Sequence, residues 1–181
     1  MHLERLFTSD HPHFPKALAL YESAFPWEER RETAVQATLL PKEAYHFELI
    51  MEGNMLQGIL LYWETADFLY LEHFATLPEV RNHGVGSAAL QLLKSKGKTV
   101  ILEIEPPADT LTKRRLAFYS RNGFRMTPHY HIQPKYHIGD KDLELKILSY
   151  PTVITAKAYH RFRDFLEREV SIFALCSTDP H

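Results

Sequence analysis

A mixed α/β fold, one domain with a helical run at its end, is what this sequence predicts. Three observations carry that expectation. Between Tyr45 and Thr76 stand three apolar runs rich in β-forming residues, joined by connections only long enough for antiparallel neighbours. From Ser87 onward, segments of helical period alternate with single strand-like runs. The steady strand–helix alternation of a doubly wound sheet is missing.

Taken in order, His2 to Thr8 alternates weakly and reads as a first strand. Pro15 can open a helix at its first turn, and Lys16 to Phe25 repeats Leu18, Tyr21 and Phe25 at helical spacing. Pro26 stops it, and Glu28 to Leu40 reads as a second helix closed by Pro41. Tyr45 to Met51 and Met55 to Thr65 read as strands around the hairpin signal Glu52-Gly53-Asn54. Phe68 to Thr76 is the third run. Ser87 to Lys96 is helical, with Gly97 placed to cap it. Thr99 to Glu105 is a strand ended by Pro106-Pro107, and Thr110 to Asn122 is a helix capped by Gly123. Phe124 to Tyr130 and Leu143 to Leu148 read as a last strand pair, and Val153 to Leu175 as a final amphipathic helix through Tyr159, Phe162, Leu166, Val170 and Phe173.

Composition sets broad limits. The chain has 181 residues, enough for one domain with a core. Its charged fraction of 24% and hydrophobic fraction of 45% are ordinary for a globular protein. A formal net charge of −2 offers no basic patch for nucleic acid or a membrane surface. The lone Cys176 allows no internal disulfide, no apolar leader follows Met1, and no apolar run approaches the roughly 20 residues of a membrane span. A cytoplasmic protein is the expectation.

The most informative stretch is Arg81-Asn82-His83-Gly84-Val85-Gly86-Ser87, between a strand pattern and a helical one. Two glycines let the backbone approach a ligand closely. The helix behind them directs its unpaired N–H groups and positive dipole end at the loop, and Arg81 adds a cation. This is an anion cradle of the kind that takes phosphate or pyrophosphate. Gly84-Val85-Gly86-Ser87-Ala88-Ala89 fits the dinucleotide pattern, and Glu103 and Glu105 fall 19 and 21 residues after Gly84, where a ribose-binding acid belongs. The context disagrees. Seven residues, Leu77 to His83, separate strand from glycine, and a meander precedes them, so an NAD-dependent enzyme is a remote alternative. A Walker loop fails because no Gly-Lys-Ser/Thr follows.

Phe74-Ala75-Thr76-Leu77-Pro78-Glu79-Val80-Arg81-Asn82-His83-Gly84-Val85-Gly86 resembles motif A of the GNAT superfamily of N-acetyltransferases. Ala117-Phe118-Tyr119-Ser120-Arg121-Asn122-Gly123-Phe124 resembles its motif B, at the right spacing. The resemblance is good from Tyr45 to Phe124 and extends to the flanks by element order. It implies a mixed, mostly antiparallel sheet splayed between its central strands and flanked by helices. An acyltransferase domain would span residues 1–150, and residues 151–181 would be a helical extension packed on it or at a dimer seam. The protein would be a monomer or a homodimer. The co-substrate would be acetyl-CoA, its pyrophosphate on the backbone of Asn82, His83, Gly84, Val85, Gly86 and Ser87 beside Arg81. Main-chain groups near Phe74 and Thr76 would bond the pantetheine arm. The reaction would be direct transfer of acetyl to a primary amine in a ternary complex, the acceptor being a small molecule or a peptide N-terminus. Cys176 is far from both motifs and poorly placed as an acyl carrier. A non-catalytic acyl-CoA sensor or scaffold is the alternative, one that would keep Arg81, Gly84 and Gly86 without needing Glu72 or Tyr119.

Transfer to an amine needs a base for the ammonium proton and an acid for the leaving thiolate. Tyr119 matches the motif B tyrosine and is the candidate acid, or else a core aromatic beside Phe118. Three carboxylates compete as base. Alternation along Phe68 to Thr76 puts Tyr70, Glu72, Phe74 and Thr76 on one face, and the resemblance makes that strand a place for the base or its water relay. Glu103 and Glu105 share a face of the next strand, and superfamily members that acetylate protein N-termini use a glutamate at the place of Glu103. Ion pairing with Arg114 or Arg115 is the competing role for these acids. Where many members carry an asparagine that meets the pantetheine, this chain has Thr112. The Glu-x-Glu-x-Pro strand end, the Arg114-Arg115 pair and the aromatic stretch after motif B resemble a bacterial subgroup of the superfamily.

His129, His131 and His137 crowd one region. His-x-His on a strand could ligate a metal, but no further ligand is evident and no metal is expected. His129 and His131 are expected to wall the acceptor site, with Tyr70 and Glu105. Trp27, in Phe25-Pro26-Trp27-Glu28-Glu29-Arg30, is the other wall or a helix-junction residue.

Overall fold

The meander is built as its apolar runs dictate. β1 (His2–Leu6), β2 (Tyr45–Glu52), β3 (Met55–Glu64) and β4 (Phe68–Thr76) pair antiparallel in chain order. The hairpin between β2 and β3 turns at Gly53, whose φ of 58° is left-handed. β5 (Thr99–Ile104) joins β4 in parallel, from Phe68 opposite Thr99 to Leu71 opposite Leu102. In this computed structural model the described residues are 1–133, 135–137 and 141–173. They form two units, Met1–Phe25 with Ala37–Leu102, and Pro26–Gln36 with the chain from Glu103 onward.

The first unit holds the four-stranded meander and β5 as far as Leu102. α1 (Phe14–Ala24), with Pro15 in its first turn, packs on β3 and β4. α3 (Val85–Lys94) packs on β1 and β4. Leu49, Ile59, Leu61, Trp63 and Leu69 are fully buried in this layer.

One irregularity matters more than the regular pairing. Leu61 faces His73 and Tyr62 faces Leu71, so Glu72 is an extra residue on β4, a β-bulge. A bulge reverses the alternation beyond it. The expected common face of Tyr70, Glu72, Phe74 and Thr76 is therefore corrected. Tyr70, opposite Trp63, shares its face with His73, opposite Leu61, while Phe74 and Thr76 lie on the other side.

In the second unit, α4 (Thr110–Arg121) starts in a capping box. β8 (Glu144–Tyr150) carries two short partners, β6 (Arg125–Met126) and β7 (His131–Ile132). α5 (Ala156–Phe165), capped by Thr155, continues as a π-helical turn, Leu166–Val170, and a 3-10 turn, Ser171–Phe173. The end of the expected helix, and Cys176, lie outside the described residues.

Two sequence expectations are corrected here. The strand Phe124 to Tyr130 shrinks to Arg125–Met126, because Thr127 N–H makes the last ladder bond, to Ile147, and Pro128 has none to give. The helix Glu28 to Leu40 becomes a 3-10 turn, Trp27–Glu29, and α2 (Thr33–Leu39). His137 Nε2 donates to the carbonyls of Trp27 and Arg30 at 2.9 and 3.0 Å, and a continuous helix needs those acceptors for itself.

Candidate functional site

In the first unit the stretch after β4 forms the expected turn. Pro78–Val80 makes one 3-10 turn and Arg81 leaves it extended. Asn82 is left-handed, with φ of 66°, and so is Gly84, with φ of 83°. Gly84 is the N-cap of α3, and its carbonyl accepts from Ala88 N–H at 3.0 Å. Residues Arg81 to Gly84 are exposed, Val85 is buried, and Gly86 and Ser87 are half-buried. A Cβ built on Gly84 would meet nothing within 4 Å, so the backbone angle, not crowding, calls for glycine there. An arginine and the first N–H groups of a helix thus border open space, an arrangement that accepts an anion.

Behind the turn, the bulge delivers Glu72 inward. Its side chain is 1% exposed, and Oε2 accepts from Trp63 Nε1–H at 3.0 Å. His73 Nδ1 lies 3.9 Å from the same oxygen, and the His73 ring sits edge-on to Tyr21 and Phe25. Tyr70 is 2% exposed. Phe74 and Thr76 remain half-buried at the end of the strand.

The second unit holds the other candidates. Tyr119 is buried on α4 against Phe124, with ring centroids 5.6 Å apart. Burial pushes its phenol up to about 12, partly opposed by the Arg115 guanidinium, so it keeps its proton at neutral pH. Glu103 Oε1 meets His131 Nε2, and Glu105 is ion-paired with Arg115, the pairing that competes with a base role. Thr112 accepts from Asp109 N–H and donates to its carboxylate, so the hydroxyl at the place of that asparagine is engaged in capping α4. His129 stacks on Tyr159 at 4.4 Å, and His131 meets the same ring edge-on. Trp27 is 47% exposed on one side and stacked on His137, centroids 4.0 Å apart, on the other. Among the described residues no cluster of three or more His, Cys, Asp or Glu could hold a metal ion.

Three residues of this unit were not singled out in the sequence. Glu29 is half-buried, and desolvation raises its carboxyl, opposed by Arg115 and reinforced by Glu28 and Glu103. Tyr159 joins His131 and His129 through a hydrogen bond and ring contacts, and buried Tyr136 lies under the Arg31 guanidinium at 5.3 Å; the aromatic spacing of Tyr159 placed it on a helix without naming its partner. Nothing in the run Glu28-Glu29 separates the two acids; only burial does.

The family model described as an acetyltransferase (GNAT) domain matches residues 43–126. A solved structure from Bacteroides thetaiotaomicron, assigned to the GNAT acetyltransferases, is 31% identical, with a TM-score of 0.88 over 94% of this chain and 98% of that one. The Bacillus subtilis protein YjbC, assigned as an acetyltransferase, is 33% identical over 105 residues, 56% of this chain and 52% of that protein. The match thus spans about half the length of that curated relative. An aminoglycoside 6'-N-acetyltransferase solved with coenzyme A shares the fold, at 12% identity and a TM-score of 0.61 over 82% of this chain and 96% of the other. With 31% identity to the Bacteroides thetaiotaomicron structure held over nearly the whole of both chains, and the family model matching across both motifs, the chain belongs to the GNAT acetyltransferase family.

Proposed function

We propose that this protein is an acetyl-CoA-dependent N-acetyltransferase that passes the acetyl group directly to a primary amine. The observation that carries the reading is the turn from Arg81 to Ser87. It opens α3 on a left-handed Gly84 and leaves Arg81 exposed beside the helix N-terminus. Arg81 and the N–H groups from Asn82 to Ser87 hold the pyrophosphate, and main-chain groups of Phe74 and Thr76 hold the arm. Coenzyme A bound to a structural neighbour supports the choice of nucleotide. Acetyl-CoA supplies the thioester, an activated acyl group.

The protein's own groups supply the proton handling. Glu72 takes the ammonium proton, directly or through water. Tyr119 meets the sulfur with its O–H. A buried phenol pushed up to about 12 holds its proton more tightly than a thiol near 8.5. That difference favours a hydrogen bond to the developing thiolate over complete proton transfer. A sensor that only binds acyl-CoA would have no use for either group.

The test is release of free thiol from acetyl-CoA against a panel of amines and peptide N-termini. Transfer to a member of the panel bears the reading out. Tight acetyl-CoA binding with no transfer to any amine assigns the sensor role instead.

A further inference from the structure

Glu103, one residue before the end of β5, starts a chain of contacts lying wholly within the second unit. Its Oε1 meets His131 Nε2, and the two side chains are 8% and 2% exposed. On the other side of the ring, His131 Nδ1 lies 3.2 Å from the Tyr159 hydroxyl. That hydroxyl lies 2.6 Å from the main-chain carbonyl of Tyr130.

The bond directions follow from the far end. A carbonyl only accepts, so Tyr159 O–H donates to Tyr130, and its oxygen is left to accept from His131 Nδ1–H. A neutral imidazole has a single N–H. With Nδ1 donating, a bare Nε2 would set its lone pair against a carboxylate oxygen. The whole chain is satisfied when His131 is an imidazolium donating from both nitrogens, the Nε2 bond being the charge-assisted one. The chain ends at a carbonyl, which passes no proton on, so it orients and does not conduct.

The ring cannot swing away easily. Tyr159 lies edge-on to it, with centroids 5.9 Å apart, and Phe162 lies at 6.0 Å, both from α5. Charged groups near the chain among the described residues include Glu29, whose carboxyl interacts with Glu103 and Arg115, the Glu105–Arg115 pair, and Arg163 near Tyr159.

We propose that His131, held by Tyr159, is a positioning residue for Glu103. It fixes the carboxylate as an anion with Oε1 engaged, so that Glu103 holds the acceptor's ammonium by charge and does not remove its proton. The inference rests on the acyl-transfer reading. It also gives α5 a role in the site, because that helix carries the tyrosine that orients the imidazole.

Two measurements test it. The first needs neither acetyl-CoA nor acceptor: nitrogen NMR of histidine-labelled protein. Both His131 nitrogens are expected to be protonated at neutral pH. Tyr159→Phe keeps the ring packing and removes the acceptor for Nδ1–H, so the pH at which His131 loses its proton falls. An unprotonated Nε2 in the wild type, or a titration unmoved in Tyr159→Phe, overturns the assignment. The second is kinetic, with a cationic amine found to be acetylated. Glu103→Gln and His131→Asn should each raise KM for the amine about tenfold, while the pH profile of kcat keeps its shape. A kcat deficit in Glu103→Gln that narrows as pH rises would make Glu103 the base and overturn the proposal. If the wild type acetylates nothing, the acyl-transfer reading falls, whereas the NMR result still decides the arrangement at His131.

Discussion

Tyr119 and Glu72 are buried for different purposes. The phenol has its charged form penalised by its surroundings and stays a donor across the working pH range. Tyr119→Phe keeps the ring against Phe124 and removes only the donor. Acetyl-CoA affinity should hold, while turnover falls by about 10²–10⁴, measured by single-turnover transfer. Glu72 is fixed by the Trp63 indole, and a glutamine oxygen can still accept that bond. Glu72→Gln should therefore fold normally and lose turnover. Its deficit shrinks as pH rises, because the amine then loses its proton unaided. A deficit independent of pH would mean that Glu72 positions the acceptor and takes no proton. The sign of that trend separates the two roles more sharply than the size of the loss.

At the scale of elements, glycines divide by what constrains them. A Cβ at Gly58 in β3 would stand 2.5 Å from the Ala75 carbonyl oxygen and 3.0 Å from the Thr76 Cα, both backbone atoms. Gly58→Ala should cost about 1–3 kcal/mol in denaturant unfolding, since neither atom can give way without moving β4. Gly84 is the opposite case, with open space and a left-handed angle. Gly84→Val strains the backbone by about 1–2 kcal/mol whether or not a ligand binds there. Gly84→Asn tolerates the angle and still places atoms in the cradle. The asparagine variant is therefore the cleaner probe: near-normal stability with weakened CoA binding by calorimetry. Wild-type affinity in that variant would dismiss the cradle. The same division shows what the sequence could reveal. β4 was readable to its ends, Phe68 and Thr76, because its apolar run and flanking turns are local signals. The bulge at Glu72 was not, because the extra residue is neither glycine nor proline, and only the pairing with β3 exposes it. Likewise the cradle was written in contiguous residues. The chain Glu103–His131–Tyr159 joins positions 28 apart at each step, and no spacing rule connects them.

For the whole molecule, binding is the most direct readout. Ligand at about 100 times its dissociation constant adds roughly 2.7 kcal/mol to the stability of the fold. In a chain of this size each kcal/mol moves the melting midpoint by about 2–4 °C, so acetyl-CoA should raise it by roughly 5–11 °C. NAD should not move it. A larger shift with NAD would restore the dinucleotide reading that the Leu77 to His83 spacer argues against.

The chain carries two tryptophans, and they report on different units. Trp63 is fully buried in the first, its indole N–H bonded to Glu72. Trp27 is half open to water in the second, stacked on His137. A buried indole emits toward the blue and is sheltered from dissolved iodide. A wet one emits further to the red and is readily quenched. With Trp27→Phe and Trp63→Phe as single-fluorophore controls, ordinary emission spectra follow each unit separately through melting and titration, without any attached dye.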